Sequence, residues 1–473
     1  MMHYRPISFE DTIVVRGRHL YKRDGSLFTI RGIAFPTPPD GTSYHASSWL
    51  DILKQLRALD LQFNTVRLYR MDPLKVDYSE FIEGAAKLGV YIIVPLTSAS
   101  GDGVLDRTMA APTCYTNSLF SYGANALKKY LKHPNVLGGM VGNEVMNDEA
   151  SWLAAPCVRS YARNLKLFMD KLVEDGVVQR TLPLMYAAQD SSVLGGAEME
   201  NSDTIVKLTA DYFTCAETGK GTIVADVAGD EPTHGLQHFT ENRFGMSPID
   251  IFGINVESWC SSTQDFYQNP DGTLGSYFSL LRALNATSVP VIFSEMGCPH
   301  KLFDRDDKLH RTVEGTRDWA QIKYVMNEMS DVWAGFIAYT YDGASDFDMF
   351  KGGPWDGRNV LQPTQDFWNF KEQLAKLPSD MAPLQQKHQQ EHDILPRRCS
   401  AVEADFVECC DLSLVDDADM PVYVVADEIT HSSETAKSFF TSAGLVLVML
   451  GVFVMLRRGF MSKKTKYTSI DES

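Results

Sequence analysis

Val136-Leu137-Gly138-Gly139-Met140-Val141-Gly142-Asn143-Glu144-Val145 is the stretch on which the fold turns. It has a counterpart in Val289-Pro290-Val291-Ile292-Phe293-Ser294-Glu295-Met296-Gly297-Cys298. Each opens as an apolar run of buried-strand length and closes on a glutamate. Working outward, other short apolar runs alternate with helical patterns, as repeated βαβ units require. Leu20 to Ile30 reads as a hairpin turning at Asp24-Gly25 and feeds a first barrel strand over Phe28–Phe35. Trp49, Ile52, Leu53, Leu56 and Leu59 then share one helical face. Strand two is Asn64–Tyr69 and strand three Tyr91–Leu96. Strand four ends at Glu144, strand five is Leu182–Ala188, and strand six Ile249–Asn255. Strand seven ends at Glu295, and strand eight is Trp333–Tyr339. Eight such strands with helices between them define an α/β fold, a (β/α)₈ TIM barrel, over residues 10–376. The stretch from Ala216 to Pro248 has no clear period and reads as an insertion on the active-site face.

The polymer properties narrow the function. The chain has 473 residues, a net charge of −17 and no basic stripe, which argues against a nucleic-acid partner. No repeat of solenoid or propeller period is present. In a parallel barrel the C-terminal strand ends form the reactive face. Strands four and seven lie on opposite sides of that mouth, so Glu144 and Glu295 face each other across whatever binds there. Two facing carboxyls about 5–5.5 Å apart are what a retaining glycosidase needs, one protonated and one ionised at the same pH. Glu144, preceded by Asn143, suits the acid/base, with burial and a nearby negative charge raising its pKa. Asn143 is placed to hydrogen-bond a sugar 2-hydroxyl. Glu295 suits the nucleophile, kept ionised by hydrogen bonds. Arg67 at the end of strand two is the leading donor to it, and Tyr339 at the end of strand eight is a second. Tyr69 and Trp259 are candidate stacking surfaces for sugar rings. This chemistry needs no metal and no organic cofactor.

The C-terminal region bears on location. Residues 377–437 are polar, then strongly acidic, and read as a stalk. Phe439 to Leu456 is an uncharged run of 18 residues, about 27 Å as a helix, enough for one bilayer crossing. The expected transmembrane helix covers 438–457. Arg457-Arg458 and Lys463, Lys464 and Lys466 follow the apolar run, and positive flanks mark the cytosolic side. The expectation is therefore a single-pass membrane protein with a catalytic domain outside the cytosol or in a lumen, and a short basic tail over 458–473. A glycolipid-anchor signal normally ends within its apolar stretch, so a retained anchor is favoured. Tyr467-Thr468-Ser469-Ile470 resembles a sorting signal. Met1 to Leu20 shows no signal-peptide core, which fits either a start upstream of this chain or a tail anchor facing the cytosol. The eight cysteines lack zinc-site spacing and suit disulfides, and Asn285-Ala286-Thr287 is a glycosylation sequon.

Taken together, these runs resemble glycoside hydrolase family 72, the β-1,3-glucanosyltransferases of fungal cell walls, over about Ile13 to Lys376. The motifs that carry the likeness are Asn64-Thr65-Val66-Arg67 with Tyr69 and Asp72-Pro73, then Gly142-Asn143-Glu144-Val145 and Tyr212-Phe213-Thr214-Cys215. Phe252-Gly253-Ile254-Asn255 with Trp259-Cys260, Ser294-Glu295-Met296-Gly297-Cys298 and Ala338-Tyr339 complete them. The resemblance implies cleavage within a β-1,3-glucan and transfer of the new reducing end to another chain. Glu144 would be acid/base and Glu295 nucleophile, and β-glucan donor and acceptor the partners. It also implies disulfides Cys260–Cys298 and Cys215–Cys399; Cys114–Cys157 is a further pairing, suggested by neighbouring segments at the barrel mouth. The departures fall on the rim. Phe35-Pro36-Thr37-Pro38 lacks the family's sugar-contacting Gln, Glu257-Ser258 replaces Tyr-Glu before Trp259, and Asp342-Gly343-Ala344-Ser345-Asp346 replaces a run of acids. The alternatives are a retaining hydrolase on β-1,3-glucan or another β-glycan, and an inactive glucan-binding wall protein.

Overall fold

The computed structural model describes residues 5–35, 46–98, 100–148, 150–189, 202–216, 247–257, 266–268, 272, 274–299, 301–303, 309–312, 317–342, 347–352, 360–378, 382–388, 394, 396–410, 415 and 419–423. The chain divides into two units, Met1–Tyr423 and Val424–Ser473, and every described residue belongs to the first.

An antiparallel sheet of β1 (Ile13–Arg16), β2 (His19–Lys22) and β3 (Leu27–Phe28) leads into the barrel. The barrel strands are β4 (Ile30–Phe35), β5 (Thr65–Leu68), β6 (Tyr91–Pro95), β7 (Val136–Asn143), β8 (Leu184–Ala188), β9 (Ile251–Val256) and β10 (Val291–Met296). A small hairpin, β11 (Lys301–Phe303) and β12 (Leu309–Thr312), precedes the last barrel strand, β13 (Trp333–Ala338). These eight strands close in the order β10-β13-β4-β5-β6-β7-β8-β9, all pairings parallel. The helices are α1 (Ala46–Ala58), α2 (Ser79–Lys87), α3 (Asn117–Tyr130), α4 (Ala155–Glu174), α5 (Ser202–Thr214), α6 (Ser276–Leu284), α7 (Gln321–Met326) and α8 (Gln365–Ala375). Two more follow, α9 (Ala382–His388) and α10 (Cys399–Cys410). The apolar face read for α1 is buried throughout.

Hydrophobic burial explains why one mouth is closed and the other is polar. Ile13, Val15, Leu20 and Phe28 of the N-terminal sheet share one cluster with Ile30, Ile93, Leu137, Met185, Ile251 and Ile337 of the barrel. The Tyr91 hydroxyl donates to the carbonyl of Asp11 at 2.7 Å and ties that plug to β6. The opposite, C-terminal strand ends are left to carry polar side chains. Where β13 meets β4, Gly335 has φ +132°, and a Cβ there would lie 2.1 Å from the carbonyl oxygen of Ile30. Only glycine lets the two backbones approach closely enough to close the ring.

The expected stalk requires correction over its described residues, which end at Tyr423, because several of them pack on the barrel. Gln385 of α9 accepts from the Leu27 amide and donates to Gly25, and His388 stacks on His19 at 3.6 Å. α10 is pinned by the Cys215–Cys399 disulfide, by Arg159–Glu403 at 2.9 Å and by full burial of Val402. The Tyr423 hydroxyl donates to the carbonyl of Tyr115. Sparse anchors among many charges hold this segment, so its average composition conceals them. Among the described residues no helix is long and apolar enough to cross a membrane; Phe439–Leu456 lies outside them.

Candidate active site

The C-terminal mouth gathers Arg67 of β5, Asn143 of β7, Asn255 of β9, and Ser294 and Glu295 of β10. Glu144 follows directly on β7, and Tyr69 and Tyr339 lie just beyond β5 and β13. Strand register does much of the placing. Asn255 is paired with Glu295 across β9–β10, and Asn143 with Ala187 across β7–β8.

Arg67, fully enclosed, is the organiser. Its Nη1 donates to Glu295 Oε1 at 3.1 Å, to the Ser294 carbonyl at 2.8 Å and more weakly to Asn255 Oδ1 at 3.4 Å. Its Nη2 donates to Asn143 Oδ1 at 2.5 Å. Its guanidinium carbon lies 4.4 Å from the centre of the Tyr69 ring, and Tyr69 meets Tyr339 edge-on at 6.1 Å. Asn255 joins the two acids. Its Nδ2 donates to Glu144 Oε1 at 2.7 Å and to Asn143 Oδ1 at 3.2 Å, while its Oδ1 accepts from Ser294 Oγ at 2.7 Å.

Glu144 is held by its backbone as well as its side chain. It sits at φ +47°, in the left-handed region that non-glycine residues rarely occupy. Its amide donates to the Ala187 carbonyl at 2.8 Å, and its own carbonyl accepts from Arg107 Nη1 at 2.9 Å. The β7 ladder is thus broken at the residue whose side chain must turn into the mouth.

The electrostatics depart from one expectation. Hydrogen bonding was expected to keep Glu295 an ordinary ionised carboxylate. Instead, burial pushes it up to about 7, opposed by the Arg67 guanidinium and reinforced by the negative charges of Glu144 and Glu257. A carboxyl only 6% exposed loses more hydration than one guanidinium returns. The Tyr69 and Tyr339 hydroxyls are both pushed up, chiefly by burial, and stay protonated beside Glu295.

Sequence reasoning named Arg67, Tyr69, Asn143, Glu144, Glu295 and Tyr339, and the structure brings all six together. Trp259 and Cys260 lie outside the described residues, as do Pro36–Pro38, 217–246 and 343–346. Cys114–Cys157 and Cys215–Cys399 are bridged, and Cys298 is disulfide-bonded. Asn285 is exposed just past the end of α6, where its carbonyl accepts from Arg18 between β1 and β2, away from the mouth. Asn255 and Ser294 stand in motifs of the family resemblance but carry no role there, and Arg107 was not singled out. For Asn255 the available signal was a polar residue closing an apolar strand.

A closed parallel barrel with two facing strand-end glutamates defines the class, and comparison with known proteins places the chain within it. The chain belongs to the glycoside hydrolase 72 family (Glucanosyltransferase), whose model matches residues 6–378. It is 25% identical over 368 residues to the probable 1,3-beta-glucanosyltransferase GAS3 of Saccharomyces cerevisiae, covering 75% of this chain and 59% of the relative. It is 27% identical over 375 residues to the 1,3-beta-glucanosyltransferase PGA4 of Candida albicans, covering 77% and 66%. The chain thus spans about 59% to 66% of these relatives' own length. Its fold matches a point mutant of Saccharomyces cerevisiae Gas2p in complex with laminaritetraose and laminaripentaose. There the TM-score is 0.56 at 22% identity, over 79% of this chain and 70% of that one.

Proposed function

We propose that this protein is a retaining β-1,3-glucanosyltransferase that remodels β-1,3-glucan through a covalent glycosyl-enzyme, with Glu144 as acid/base and Glu295 as nucleophile. The observation that carries the reading is the hydrogen-bonded bridge between the carboxyls: Glu144 Oε1 to Asn255, Asn255 to Arg67 directly and through Asn143 Oδ1, Arg67 to Glu295. Glu295 has the cation at its side and Glu144 has an amide. The cation works against the rise that burial imposes on Glu295, and two bridged carboxyls sharing one proton can supply the anionic nucleophile and the protonated acid that the chemistry needs.

In the first step Glu295 attacks the anomeric carbon as the glycosidic C–O bond breaks. The bonding pair leaves with the departing oxygen, which takes the Glu144 proton. In the second step a sugar hydroxyl attacks the same carbon and gives its proton to Glu144, and the bond to Glu295 breaks. Configuration is inverted twice and so retained. The pair needs one proton between them, and burial of Glu295 keeps that last proton bound up to about pH 7. Tyr69 and Tyr339, as neutral phenols, can donate to the Glu295 carboxylate before attack and as its charge returns in the second step. With Asn143 Oδ1 already accepting two hydrogen bonds, its amide nitrogen is the group left to meet a 2-hydroxyl.

Hydrolysis is the second reading, favoured by one observation. Exposed Glu257 stands where the family resemblance places a stacking tyrosine, on the side where an acceptor sugar must outcompete water. Membrane anchorage through Phe439–Leu456, with the barrel outside the cytosol, belongs to the same proposal. It is supported by the basic flank and by disulfides typical of oxidising compartments. Mass spectrometry of products from a reduced laminari-oligosaccharide is the test. Chains longer than the substrate establish transfer; only shorter ones make the protein a hydrolase.

A further inference from the structure

Asn255 has an orientation that the surrounding donors dictate, and this has a consequence for Glu144. Two donors converge on Oδ1: the Ser294 hydroxyl at 2.7 Å and Arg67 Nη1 at 3.4 Å. Arg67 has no acceptor to offer, so the amide oxygen must face it and the amide nitrogen must face the other way. There Nδ2 meets Glu144 Oε1 at 2.7 Å and Asn143 Oδ1 at 3.2 Å. Asn143 Oδ1 is itself committed as an acceptor by Arg67 Nη2. Ser294 is fully buried, and its side chain fits because residue 253 is glycine. A Cβ there would lie 2.7 Å from Ser294 Oγ.

We infer that Ser294 and Asn255 form a positioning pair that commits Glu144 Oε1 as an acceptor and so confines the catalytic proton to Oε2. An amide N–H pointed at Oε1 disfavours a proton on that oxygen, because a carbonyl-type oxygen accepts more strongly than a hydroxyl, and the acid can then accept at Oε1 and donate from Oε2. The proton is then favoured on Oε2, whose O–H is not consumed by Asn255 and is left to meet a departing glycosidic oxygen. Ser294 acts at one remove: its hydroxyl helps Arg67 hold the amide from turning. The inference rests on the reading of Glu144 as acid/base.

The leaving group supplies the test. Protonation matters for a sugar leaving group and hardly at all for fluoride, so the wild-type enzyme, Glu144→Gln, Asn255→Ala and Ser294→Ala are compared on a laminari-oligosaccharide and on β-laminaribiosyl fluoride. In kcat/KM, which reports the first step alone, Asn255→Ala is expected to lose about 10- to 100-fold on the oligosaccharide and less than about 3-fold on the fluoride; Ser294→Ala follows the same pattern with a loss of about 10-fold. Equal losses on both substrates in Asn255→Ala and Ser294→Ala, with Glu144→Gln still discriminating, would reduce the pair to structural support and overturn the inference alone. If Glu144→Gln also fails to discriminate, Glu144 is not the acid and the inference falls with that reading.

Discussion

Replacing Glu295 with glutamine should stabilise the fold by an amount that grows with pH. Burial raises the carboxyl from 4.5 to about 7, so the folded protein holds this proton to higher pH than the unfolded chain does. The sign follows directly. Below about 4.5 both states are protonated and the group is neutral toward stability. As pH rises through the window the unfolded state ionises first, and folding is penalised. Above about 7 the penalty is complete, at about 3 kcal/mol for a shift of this size. Between pH 5 and pH 8 the penalty grows by about 2.5 kcal/mol. Glutamine keeps the shape and the acceptor oxygen for Arg67 but cannot ionise. Urea unfolding of wild type and variant at pH 5 and pH 8 therefore gives a difference in ΔΔG of about 2.5 kcal/mol in favour of the variant at pH 8. A difference near zero would refute the argument that burial governs Glu295. A difference of the opposite sign would mean that the Arg67 ion pair outweighs desolvation.

Four further outcomes follow from the geometry. The rate on a laminari-oligosaccharide should hold up to about pH 7 and then fall about tenfold per unit as the carboxyl pair loses its last proton; a pH profile of kcat/KM checks this. Arg107→Ala removes the donor to the Glu144 carbonyl and should lower kcat about tenfold or more while thermal stability changes little, since Arg107 is exposed. Gly335→Ala forces a Cβ onto the Ile30 carbonyl at the β13–β4 seam and should cost more than about 2 kcal/mol in denaturant unfolding, if the chain folds at all. Opening the Cys215–Cys399 bridge with paired serines, across a separation of 184 residues, should cost about 2–5 kcal/mol and expose the α10 segment first to limited proteolysis.

All eight barrel strands were legible because each is a short apolar run with both faces buried, the pattern that parallel sheets impose. Glu144, Glu295, Asn143 and Arg67 were legible because a charged or polar residue closing such a run has few structural uses. Asn255 closes a motif of the family resemblance without a role attached; the register that sets it beside Glu295, and the donors around its oxygen, reveal its part. Arg107 sits in a loop with no periodicity to mark it, and the left-handed backbone of Glu144 leaves no trace in a sequence without glycine there. The raised Glu295 depends on the depth of burial, a three-dimensional quantity. Helices α9 and α10 were hidden in a stretch whose average acidity suggested a stalk, because few anchors suffice when a disulfide supplies one of them.

The central claim is that Glu295 forms a covalent bond to the sugar. A 2-deoxy-2-fluoro laminaribiosyl fluoride slows both steps but more strongly the second, so the glycosyl-enzyme should accumulate and survive peptic digestion for peptide mass spectrometry. The account predicts one added disaccharide on the peptide carrying Glu295, none in Glu295→Gln, and release when a laminari-oligosaccharide acceptor is supplied. A label on Glu144, or turnover with inverted configuration and no covalent species, would contradict it.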